Sequence, residues 1–186
     1  MDMADATGEG YPLVLQSGAD PSTLGGVAVC GLTTVGSVGV IAASHLIASL
    51  GLKPMGTVIH PEFPAVALIQ ESVPKHPVRV YQGEEMGVFI SEIQFPQASD
   101  FQFGNTVLEW FQKGGFDRLV IIDGLVSEDL GLKEDGDIWG VASLQSGRDA
   151  LDTVGIQRIQ QGIVTGVSGF LLAEGERQGL DITVLL

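Results

Sequence analysis

The feature that most constrains this chain is a glycine-spaced turn, Gly31-Leu32-Thr33-Thr34-Val35-Gly36-Ser37-Val38-Gly39. It joins an apolar run, Val27 to Leu32, to a stretch from Val38 to Leu50 in which Val38, Ile41, Ala42, Leu46, Ile47 and Leu50 recur at helical spacing. A strand that turns directly into a helix is the opening unit of a parallel α/β sheet, and the turn directs backbone N–H groups and the helix dipole towards one point. Gly36, Ser37 and Gly39 are therefore candidates for binding a ligand or a partner's carboxylate. The turn is not a P-loop, because no lysine follows Gly36. Nor does it complete the three-glycine dinucleotide fingerprint, since Thr34 stands where the first glycine belongs. Ser37 is expected to cap the helix and Gly51 to end it.

The strand–helix alternation continues. Met55 to His60 reads as a strand, broken by the rigid turn Pro61-Glu62-Phe63-Pro64. Val78 to Tyr81 and Met86 to Ile93 read as a hairpin turning at Gln82 to Glu85, an antiparallel excursion. Asp100 is placed to cap a helix carrying Val107, Leu108, Trp110 and Phe111, followed by the strand Arg118 to Ile122. Ser146 with Asp149 reads as a capping box, Arg158 to Val164 as a strand, Val167 to Gln178 as a helix and Ile182 to Leu186 as a terminal strand. The expected fold is α/β: a mostly parallel sheet with helices on both faces. Residues 1–20 are expected to be a loose lead-in or edge strand, and 21–186 a single domain, within the size one core supports.

Composition narrows the function. The net charge of −14 arises from 9 basic against 23 acidic residues. A field of that sign repels phosphate backbones and anionic lipid, so neither nucleic acid nor membrane is an expected partner. Hydrophobic residues make up 45% and charged residues 17%, an apolar content that points to surface buried between subunits of a homo-oligomer. The lone Cys30 lies in an apolar strand and reads as a small buried hydrophobe. With no N-terminal signal pattern and no apolar run long enough for a membrane span, the expected location is cytoplasmic.

Catalytic signatures are missing. His45, His60 and His76 are too scattered for metal-ligand spacing, and the acidic stretch Glu128 to Asp137 does not match a calcium loop. Ser168 fails the nucleophile-elbow pattern because Phe170 replaces its second glycine. No metal and no cofactor is therefore expected. Asp123 differs: it follows a strand expected to be parallel, at the carboxyl edge where open α/β sheets bind ligands. A small nucleoside-like or anionic ligand held where Gly36-Ser37 and Thr165 to Ser168 converge on Asp123 is one functional reading.

Four segments carry a resemblance: Gly31 to Gly39 with Leu46-Ile47 after it, Pro61-Glu62-Phe63-Pro64, Ile138-Trp139-Gly140-Val141-Ala142-Ser143, and Val164-Thr165-Gly166-Val167-Ser168-Gly169-Phe170-Leu171-Leu172. In order and spacing, over roughly residues 25–186, the chain resembles the archaeal-type proteasome assembly chaperone family. The resemblance implies a fold related in shape to nucleoside phosphorylases and hydrolases, self-association, and no established catalytic residues. It also implies binding: members hold proteasome α-subunits during ring assembly or engage the assembled core through a C-terminal tail. This chain ends Val184-Leu185-Leu186, unlike the hydrophobic-Tyr-any-residue ending of such tails. Phe63, Phe95, Phe101 and Phe103 are the expected interface aromatics.

Overall fold

A computed structural model describes residues 10–16, 19, 25–124 and 137–186. In chain order the elements are β1 (Leu13–Leu15), β2 (Val27–Leu32), α1 (Val38–Ser49), β3 (Lys53–Val58), β4 (Leu68–Gln70), β5 (Val73–Lys75), β6 (Val78–Gln82), β7 (Met86–Ser91), α2 (Asp100–Lys113), β8 (Arg118–Ile122), β9 (Trp139–Ala142), α3 (Gln145–Thr153), β10 (Gln157–Arg158), α4 (Gly166–Gln178) and β11 (Ile182–Leu185).

Nine strands form one sheet in the order β1-β3-β6-β7-β2-β8-β11-β9-β10, and β4 pairs with β5 in a separate antiparallel hairpin. The centre of the sheet, β7-β2-β8-β11, is parallel throughout. On one flank β6 joins β7 as the expected antiparallel hairpin, with β3 and β1 added antiparallel beyond it. On the other flank β9 runs antiparallel to β11 and β10 closes the sheet. The α/β reading therefore holds, with parallel strands where β2 and β8 meet.

Strand residues point alternately to the two faces, and each face has its own core. Ala28, Cys30, Leu32, Phe89, Leu119 and Ile121 pack with Phe103 and Val107 of α2 and Leu171 of α4. Val29, Val88 and Ile90 pack on the other side with Ala43 of α1. Covering both faces is what makes these strands read as continuous apolar runs. Cys30 is fully buried, and burial, followed by the nearby Asp123 charge, pushes its thiol well above the ordinary range, so it is no nucleophile.

Gly39 is required by packing. A Cβ there would stand 2.2 Å from the carbonyl oxygen of Ile122, so only glycine lets α1 lie this close to the carboxyl ends of β2 and β8. Gly36 has φ +67° and is followed by Ser37 at φ 54°, two left-handed residues that turn the chain into α1.

Three expected caps are corrected. Ser37 makes no capping bond, because a left-handed backbone does not present its hydroxyl to the next turn as the extended N-cap conformation does. Asp100 is the first helical residue of α2, with Ser99 at the N-cap, so its charge faces the helix dipole from inside the first turn. Helix α3 begins at Gln145 after Leu144; Ser146 donates to Asp181 Oδ2 at 2.8 Å instead of closing a box with Asp149. One strand is also corrected. Of the expected 158–164 run only Arg158 is in a strand, the two-residue β10, which is an edge paired with Trp139 and Gly140. The expected last strand of the chain is present as β11, inside the sheet between β8 and β9. In the lead-in, Leu13–Leu15 forms the edge strand β1 and Tyr11 is buried in the core.

Candidate functional site

The four parallel strands end together. Leu32 of β2 lies opposite Ser91 of β7, and Gly31 of β2 and Leu185 of β11 both lie opposite Ile122 of β8. Past this edge the chain turns into Thr33 to Val35 on one side, Asp123-Gly124 in the middle and the start of α4, Thr165 to Ser168, on the other. These segments, with Ile93 to Phe95 after β7 and the first turn of α2, enclose a cleft of about 510 Å³. Its position follows the rule that open α/β sheets bind at their carboxyl edge.

Asp123 is anchored from both sides. Ser168, itself buried, donates its hydroxyl to Asp123 Oδ2 at 2.5 Å, and the Gly124 amide donates to Oδ1 at 2.7 Å. The same amide also approaches Thr34 Oγ1 at 3.3 Å, while Thr33 donates to the Ser91 carbonyl at 2.8 Å and so ties the β2 turn to the end of β7. Thr165 is the N-cap of α4 in an extended conformation, exposed, and without a side-chain capping bond. A second carboxyl, Asp100, lines the cleft, and desolvation raises it above the usual carboxylate range.

Among the described residues two side-chain carboxyl groups line this cleft and no Lys, Arg or His does. A ligand here meets hydroxyls, acceptor oxygens and an apolar rim of Val35, Ile93, Phe95 and Ile163. Ser168 donates its proton to a carboxylate, and among the described residues no histidine or lysine of the lining stands beside it as the base that would activate a serine nucleophile.

The structure brings together Asp123, Thr165 and Ser168 as expected from sequence. Gly36, Ser37 and Gly39 do not line the cleft: Gly36 is exposed on the outer side of the turn and Gly39 is buried beneath α1. Thr34, Ser91 and Asp100 do line it and were not anticipated there. Ser91 carried the readable signal, a hydroxyl at the end of an otherwise apolar strand.

The aromatics need a correction. Phe103 is wholly buried, its ring 4.2 Å from that of Phe95, which in turn lies 5.0 Å from Phe63. Phe63 and Phe95 are half-buried steps of a ladder that continues to Tyr11 at 4.9 Å. Only Phe101 is exposed, resting on Phe170 at 4.6 Å. No group of three or more His, Cys, Asp or Glu among the described residues could hold a metal ion. Most of the acidic stretch 128–137 lies outside the described residues. No helix among them is long and apolar enough to cross a membrane.

The PAC2 family model matches residues 28–186. No curated protein matches the sequence. Among solved structures, this chain is similar to Pyrococcus furiosus PbaA, described as an archaeal homolog of proteasome-assembly chaperone. The two are 27% identical with a TM-score of 0.81, over 96% of this chain and 72% of that one. A Thermoplasma acidophilum protein of unknown function is 22% identical, with a TM-score of 0.74 over 89% of this chain and 68% of its own. Pyrococcus furiosus PbaB, described as an archaeal proteasome activator, is 20% identical, with a TM-score of 0.74 over 96% of this chain and 80% of its own. At those lower identities the last two speak for the fold alone.

Proposed function

The chain belongs to the PAC2 family, and from that premise we propose that it is a proteasome assembly chaperone-like protein: non-enzymatic, self-associating, and acting by holding proteasome α-subunits in the cytoplasm. The observation that carries this reading is the match over residues 28–186, joined to the likeness to PbaA across nearly the whole chain. Two features of the molecule support it. The cleft pairs Ser168 with a carboxylate rather than with a base, and the net charge of −14 disfavours nucleic-acid or anionic-membrane partners while favouring protein surfaces that offer basic groups. The test is assembly itself: purified archaeal-type α-subunits followed on native gels should form rings faster, or through a retained complex, when this protein is added. Identical assembly with and without it counts against the reading.

One observation favours a second reading. A cleft of about 510 Å³ at the carboxyl edge of the parallel strands has the size and place of a small-molecule site. Its two carboxyl groups, with no basic side chain among the described lining residues, support a neutral, hydroxyl-bearing ligand such as a nucleoside over an anionic one. A ligand present at 100 times its dissociation constant should add about 2.7 kcal/mol of stability. A panel of nucleosides that leaves the melting curve unmoved counts against it.

A further inference from the structure

We infer that the outer stripe of α1 is the surface through which two copies of this chain meet, an inference that rests on the self-associating reading above. Helix α1 is uncharged throughout: from Thr33 to Leu52 the sequence contains no Asp, Glu, Lys or Arg. The other three α-helices among the described residues all carry charges of both signs, among them Asp100 and Lys113 on α2, Arg148 and Asp152 on α3, and Glu174 and Arg177 on α4. Burial explains the inner face of α1, where Gly39 and Ala43 pack against the sheet. It does not explain the outer one. Val38 is 48% and Ile41 65% exposed, and His45 and Ala48 continue the same line at spacings of three, four and three residues. That is the seam by which one helix packs lengthwise on another. Val35, more than half exposed, extends it three residues before Val38. A surface helix that is apolar all round is one whose outer face is also covered.

Charge identifies what covers it. A foreign partner can bring basic groups to an acidic face, but a second copy brings the same excess of acids, 23 against 9 bases. Like charges brought face to face across a symmetric interface cost several kcal/mol. Self-docking therefore selects a face from which charge is absent, and α1 is the helix that offers one. In a twofold contact the stripe is self-complementary, apolar residues of one copy meeting those of the other.

The test uses light scattering and two variants at one exposed position, Ile41→Glu and Ile41→Lys, with circular dichroism to confirm that each is folded. Both variants should lose mass relative to the wild type while keeping its spectrum, and mixing them in equal amounts should restore the wild-type mass as opposite charges pair across the seam. Variants that keep the wild-type mass overturn the assignment to α1 but leave self-association standing. Variants that dissociate and stay dissociated on mixing overturn the twofold contact, because Ile41 then faces some other surface. A wild type that is monomeric throughout removes the self-association on which the inference rests.

Discussion

Gly39→Ala adds one methyl group to the first turn of α1 and sets helix propensity against packing. In an unencumbered helix the exchange stabilises by about 0.8–1 kcal/mol. Here the new Cβ would lie 2.2 Å from the Ile122 carbonyl oxygen and 3.0 Å from the backbone of Leu32, inside the 3.4 Å at which ordinary contact begins. Both neighbours are strand backbone and cannot rotate away, so α1 must lift from β2 and β8. Overpacking costs about 1–3 kcal/mol, and a 2.2 Å approach to backbone belongs in the upper part of that range, about 2–3 kcal/mol; less the propensity gain, the net loss falls near 1–2 kcal/mol. For a chain of this length that lowers the melting temperature by roughly 2–8 °C. Urea unfolding and thermal melts at one fixed protein concentration measure it. Gly36 supplies the control: its φ of +67° needs a residue tolerant of left-handed backbone, and a Cβ there meets only Val38 Cγ2 at 3.5 Å. Gly36→Asn should accordingly sit within about 0.5 kcal/mol of the wild type, because Asn accepts that conformation. If Gly39→Ala is as stable as the wild type or more so, the close seat of α1 on the sheet edge is refuted, and with it the explanation of the turn as packing rather than ligand contact.

Phe103→Ala should cost about 3–5 kcal/mol, whereas Phe101→Ala, on a side chain 45% exposed, should cost much less, as chemical denaturation will show. Ser168→Ala strips Asp123 Oδ2 of its hydroxyl donor and should cost about 1.5–3 kcal/mol by the same assay without loss of the native circular dichroism. Asp100 should titrate above the ordinary Asp value near 3.9 in carboxyl-detected NMR, since desolvation raises it. The folded state then holds that proton more tightly than the unfolded one, so this group's contribution to stability falls as pH rises between the two values, and Asp100→Asn removes that slope.

Much of the site's scaffold was written locally. The apolar run Val27 to Leu32 announced β2, the spacing of Val107, Leu108 and Phe111 announced α2, and Asp123 followed a strand at the edge where a parallel sheet binds. The sheet order was not local: that β11 lies between β8 and β9 depends on pairings between residues far apart in sequence, such as Val184 with both Ile121 and Val141. The caps at Ser37, Asp100 and Ser146 failed because composition names a capping residue while backbone conformation decides whether it caps. The aromatics failed for a geometric reason. Phe101 and Phe103 are two residues apart on α2, about 200° around the helix axis, so one faces water and the other the core. Asp100 joined the cleft only through tertiary packing, whereas Ser91 was marked by its hydroxyl at the end of an apolar strand.

The most direct measurement is the mass, by light scattering, of this protein mixed with archaeal-type proteasome α-subunits. A complex of defined stoichiometry, heavier than either component alone, is the result the chaperone-like reading predicts. Two components that keep their separate masses at tens of micromolar would contradict it.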